Sequence, residues 1–125
     1  MTPTAFVGTL AAAILGAAGV AAAAASYHAG DALMAPLALI ALSHAPTLLI
    51  LSLAAPATRS FAVALLFIGV GAFVFCTDLA LRQYVGGGFG TFVSPIAGIL
   101  MVAGWLVAGL GALLIARRMP AVAAH

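Results

Sequence analysis

Residues 60–77 read SFAVALLFIGVGAFVFCT, an uncharged run of 18 residues bounded by Arg59 and Asp78. A helix rises about 1.5 Å per residue and a bilayer core is about 30 Å thick, so a span needs roughly 20 apolar residues. Continued through Leu79-Ala80-Leu81 to Tyr84, the run meets that length. Outward from it, the charges are Asp31, Arg59, Asp78, Arg82, Arg117 and Arg118, and they leave further uncharged stretches at 1–30, 32–58 and 83–116. Each of these is also long enough to cross a bilayer. The pattern predicts an all-α integral membrane protein, a bundle of four transmembrane helices in one membrane domain.

Composition supports the same solvent. Of 125 residues 66% are hydrophobic and 5% charged, whereas a soluble domain carries about a quarter charged residues. Such a chain is excluded from the soluble enzymes and from disordered tails. It has no basic patch for phosphates, which argues against nucleic acid as a partner. Cys76 is the one cysteine, so neither an intrachain disulfide nor a zinc knuckle can be assembled.

The spans are expected at about 5–26, 34–55, 61–84 and 94–116. Met1-Thr2-Pro3-Thr4 lacks the basic residues of a signal-peptide n-region, so the Ala-rich segment that follows is expected to be the first span. Pro46 removes an internal hydrogen bond and predicts a kink in span 2. Ser60 is a candidate N-cap for span 3. Gly86-Gly87-Gly88-Phe89-Gly90 predicts a helix break, since glycine is costly in a helix interior. Ser94-Pro95 opens span 4. Four spans put both termini and the 2–3 turn on one side. Arg59, Arg117 and Arg118 share that side and Arg82 lies opposite, so the positive-inside rule predicts cytoplasmic termini.

Helices in lipid associate by close packing of small residues and by polar contacts. Gly8, Gly16 and Gly19 form such a stripe on span 1, and Gly104 and Gly111 on span 4. Among polar residues, Asp78 and Arg82 are four apart in acid-before-base order, which predicts an intrahelical ion pair. The alternative, a proton or cation site at Asp78, suffers from a carboxylate already neutralised by arginine. His44 lies near mid-span with Thr47 one turn on; it reads as interhelical glue, with an axial haem ligand, a quinone contact or a proton relay as the alternative. His28 belongs at the outer interface, about 15 Å of depth from His44, and His125 is terminal. Ser43 and His44 are expected to point to different sides of their helix, which leaves no nucleophile–base–orienter set and predicts a non-enzyme.

Several of these landmarks occur together in a known family. Gly16-Ala17-Ala18-Gly19 with Tyr27-His28, Ser43-His44-Ala45, Phe67-Ile68-Gly69-Val70 leading to Val74-Phe75-Cys76-Thr77-Asp78-Leu79, and Ser94-Pro95-Ile96-Ala97-Gly98 with Gly104-Trp105 resemble, in order, the motifs of the small bacterial membrane family called domain of unknown function four-two-three. That family is similar to transmembrane protein two-five-six. The resemblance implies four helices and a bacterial inner membrane, with no established activity. Departures include a longer spacing from Gly19 to His28, Asp78 where the family has serine, and Ala80 where it has tyrosine. Together these features lead to an expected role as an accessory or stabilising subunit of a larger membrane complex. The alternative is a small-ligand channel, carrier, or haem- or quinone-binding protein using His44 and Asp78.

Overall fold

A computed structural model describes residues 1–118, so His125 lies outside the described residues. The chain folds into α1 (Pro3–Ala29), α2 (Met34–Ala54), a short 3-10 turn (Ala55–Ala57), α3 (Arg59–Tyr84) and α4 (Val93–Ala116). No strand occurs among the described residues. All four helices are long and apolar enough to cross a membrane, which is the architecture of a multi-pass membrane protein.

Local chemistry sets the helix ends. Thr2 caps α1, its Oγ1 accepting from the Ala5 amide at 3.2 Å, and Pro3 occupies a first-turn position where no amide proton is needed. Gly30 ends α1 at φ 71°, a left-handed conformation that favours glycine. α2 runs through Pro46 as one continuous helix and stops before the 3-10 turn that contains Pro56. The N-cap of α3 is Thr58, not Ser60: the Thr58 hydroxyl accepts from the Ser60 amide at 3.4 Å. Thr58 has the extended backbone a cap requires, whereas Ser60 is already inside the helix. α3 ends at Tyr84, just ahead of Gly86 at φ 81°.

The chain forms two antiparallel hairpins, α1 with α2 and α3 with α4, joined by contact between α2 and α3. Glycines zip each hairpin. A Cβ at Gly8 would stand 2.5 Å from the Cβ of Ser52, and one at Gly19 would stand 2.8 Å from Leu42 Cγ. Gly16 is looser, with Ala45 at 3.5 Å. In the second hairpin, a Cβ at Gly71 would meet Met101 Cγ at 2.7 Å, one at Gly104 would meet Ile68 Cγ1 at 2.6 Å, and one at Gly111 would meet Phe61 Cε1 at 2.9 Å. Steps up one helix are matched by equal steps down the other, so the register is continuous over the whole hairpin. Backbones can approach this closely only because those side chains are absent.

The core is small and aliphatic, centred on Leu15, Leu48 and Ile68 with Ala41, Ala64 and Ala72 filling between. Large apolar side chains such as Phe6, Leu39, Leu66 and Leu106 face outward. Helices that are apolar on every side belong in a membrane or in a deep core. Among the described residues no second layer covers them.

Candidate functional site

Three polar clusters stand out against this apolar background, two at the end of the bundle that holds the 30–33 and 85–92 loops and one near the middle of α2. Asp78 anchors the most fully buried. It lies six residues before the end of α3, about 9 Å down the helix axis, and is fully buried. Arg82 Nε donates to Asp78 Oδ2 at 2.8 Å, one helical turn away, which forms the predicted intrahelical pair. Two further donors arrive from outside α3: the Phe89 amide reaches Asp78 Oδ1 at 2.7 Å, and the Ser94 hydroxyl donates to Oδ2. Arg82 completes the ring by donating from Nη2 to the Gly90 carbonyl at 2.8 Å.

The glycine run makes this possible. To bring the Phe89 amide down to Asp78, residues 86–90 fold back over the end of α3, with Gly86 and Gly90 at φ 81° and 139°. Gly88 lies directly against the carboxylate, and a Cβ there would collide with Asp78 Oδ1 and come within 2.9 Å of Arg82 Nε. The loop is therefore a clasp: a buried carboxylate, an arginine, a backbone amide and a serine hydroxyl lock α3, the loop and α4 together.

Asp31 anchors a second clasp between the α1–α2 turn and α3. Tyr84 Oη donates to Asp31 Oδ2 at 2.9 Å and Gln83 Nε2 donates to Oδ1 at 3.2 Å, while Gln83 Oε1 accepts from the Leu33 amide at 3.2 Å. Gln83 thus bridges both partners with one amide group. His28 sits nearby in sequence, in the last turn of α1, where it is exposed and meets the Tyr27 ring edge-on at 5.1 Å.

His44 forms the third cluster. Its Nδ1 lies 2.9 Å from the Ile40 carbonyl one turn back, and its Nε2 accepts from Trp105 Nε1 of α4 at 3.3 Å. With a carbonyl on one nitrogen and an N–H donor on the other, the arrangement suits a neutral ring protonated at Nδ1. The Ser43 hydroxyl donates to the same Ile40 carbonyl at 3.1 Å and lies 3.0 Å from His44 Nδ1. This corrects the expectation that Ser43 and His44 point apart: both fold back along the helix toward one carbonyl, which brings adjacent side chains together. The contact is with Nδ1, the nitrogen already turned to the carbonyl, and the only buried carboxylate among the described residues, Asp78, is bonded elsewhere.

The structure joins Asp78 to Arg82 but does not bring His28 and His44 to a shared hydrogen bond. Of the glycines predicted to pack helices, Gly8, Gly19, Gly104 and Gly111 lie at the tightest approaches and Gly16 at an ordinary one. Gly71 and Gly88 belong with them and were not singled out by the small-residue stripes. Among the described residues no buried side-chain nitrogen or oxygen lacks a hydrogen-bond partner, and no group of three metal-ligating side chains converges. No protein-family model, curated protein or solved structure matches the chain.

Proposed function

We propose that this is a multi-pass protein of a bacterial inner membrane, with both termini in the cytoplasm, acting as a non-enzymatic accessory or stabilising subunit of a larger membrane complex. The observation that carries the reading is the commitment of the embedded polar groups. Asp78 accepts three hydrogen bonds from its own chain, Asp31 two, and His44 has a partner on each nitrogen. Polar groups inside a membrane are costly and usually mark a transport path or a ligand. Here they hold helices and loops to one another, which leaves the apolar surface as the feature the protein offers to its surroundings.

That surface is largest on α4. This helix buries Ala97, Met101, Gly104 and Gly111 against its hairpin partner and exposes Ile99, Val102, Leu106 and Leu110. Gly109 lies on the exposed side, where a Cβ would meet nothing within 4 Å. A glycine beside large apolar side chains suits close approach by another helix. The topology rests on Arg59, Arg117 and Arg118 at the end of the bundle opposite Arg82. Membership of the family of unknown function four-two-three is part of the same proposal, supported by His28, His44, Pro95 and Gly104-Trp105 in matching order.

Purification of the tagged chain in mild detergent, with mass spectrometry and an absorption spectrum of the same sample, tests the reading. The expected result is a colourless complex with a second membrane protein in fixed ratio. A lone monomer argues against a subunit role, and a pigmented monomer favours the cofactor reading.

A further inference from the structure

A groove of about 460 Å³ opens between the first halves of α1 and α3, with Leu48 of α2 at its back. Small residues form its floor, Gly8, Ala11, Ala62 and Gly69, and larger apolar side chains such as Val7 and Leu66 form its rim. Along α3 it extends from Ala62 to Val70, about 12 Å of helix, close to the half-thickness of a bilayer core. A second, smaller hollow continues from its end, lined by Thr2, Thr4, Ala55, Pro56 and Ala62, so that Thr4 and Ala62 belong to both. Arg59 stands at the same end, in the first turn of α3, exposed and in no ion pair among the described residues.

We infer that this groove is a binding site for one anionic phospholipid of the cytoplasmic leaflet, with an acyl chain along Gly8, Ala11 and Gly69 and the phosphate at the Thr4 and Arg59 end. The inference rests on the membrane insertion proposed above and not on any partner protein. Three observations select a lipid over a helix. The groove covers the depth of one leaflet, whereas a transmembrane helix would need a seat across the full core. Its apolar part leads into a hollow lined by Thr2 and Thr4, which matches a tail joined to a polar head. A cationic side chain in no ion pair among the described residues stands at that head end, and guanidinium suits phosphate well.

The test uses the full chain in phosphatidylcholine liposomes containing a small fraction of phosphatidylglycerol with a diazirine on its acyl chain. Cross-linked sites are mapped after illumination. The expected result is label concentrated several-fold in residues 3–11 and 62–70 over the exposed face of α4 at Ile99 and Leu106. Gly69→Leu should abolish the enrichment while preserving helix content, because a Cβ at Gly69 meets only Leu48 Cδ2, at 3.6 Å, and the rest of the side chain can fill the groove. Arg59→Gln, or the same probe on phosphatidylcholine, should reduce it. Equal labelling of the groove and α4, or enrichment unchanged by Gly69→Leu, overturns the site. Enrichment insensitive to both Arg59→Gln and headgroup overturns the anionic assignment. Absence of label from every helix overturns membrane insertion itself, and the site with it.

Discussion

The backbone amide of Phe89 donates to Asp78 Oδ1 at 2.7 Å, joining a loop residue to a carboxylate eleven positions earlier and well below the end of α3. An ion pair with Arg82 could have formed on an isolated helix. The Phe89 bond, with Ser94 on the other oxygen, turns that pair into a tertiary lock. Asp78→Leu removes the acceptor from three donors at once and is expected to be the most destabilising single change in the loop region. Asp78→Asn keeps an acceptor oxygen but cannot serve all three donors and should fall between. Thermal unfolding in detergent, followed by circular dichroism, orders the three proteins.

Gly88 gives an independent view of the same lock. A methyl group at this position collides with the carboxylate, whereas one at neighbouring Gly87 meets nothing within 4 Å. Gly88→Ala should therefore accelerate hydrogen exchange at the Phe89 amide by at least about tenfold, the equivalent of about 1.4 kcal/mol, and Gly87→Ala should leave it near wild type. Equal exchange in the two variants would show that the loop does not close on Asp78.

The hairpin of α3 and α4 depends on absent side chains. Gly104→Ala and Gly71→Ala force a Cβ against Ile68 and Met101, and overpacking of this kind costs about 1–3 kcal/mol. Gly98→Ala places its methyl in open space and should be neutral or slightly stabilising, since alanine is the better helix former. Steric-trap or denaturant unfolding in micelles measures the difference.

The bond from Trp105 to His44 crosses from α4 to α2. A double-mutant cycle with His44→Ala and Trp105→Phe should give a coupling of about 0.6 kcal/mol, the average for interhelical hydrogen bonds in membranes, and no more than about 1.7 kcal/mol. Because Trp105 occupies the Nε2 lone pair of His44, haemin added to the wild-type chain should show no Soret band that is lost in His44→Ala. Trp105→Phe would be the variant in which such a band could arise.

Much of this architecture is legible from composition and spacing. Uncharged runs locate the helices, and the four-residue step from Asp78 to Arg82 locates their pair. Gly8, Gly19, Gly104 and Gly111 announce close packing because small residues recur at helical spacing along each span. What escapes such reading is set by loop closure. Phe89 meets Asp78 only because residues 86–90 fold backward, and Gln83 meets Asp31 across fifty-two positions. Neither contact has a periodic signature. Gly71 and Gly88 were hidden for a related reason: their importance lies in what stands opposite, Met101 in one case and a carboxylate in the other. The adjacency of Ser43 and His44 escapes such reading because position around a helix is a poor guide when both side chains turn back to the same carbonyl.

On the proposed role, the outward face of α4 seats another membrane protein. Gly109→Leu adds bulk to that face without touching the chain's own core, since no atom stands within 4 Å of a Cβ there. The decisive measurement is the mass of the complex recovered in mild detergent from wild-type and Gly109→Leu cells. The expected result is a wild-type complex well above the 12.3 kDa of the single chain, with one membrane protein in fixed ratio, and a folded Gly109→Leu monomer that has lost it. A wild-type chain recovered only as a monomer, or a complex indifferent to Gly109→Leu, would contradict it.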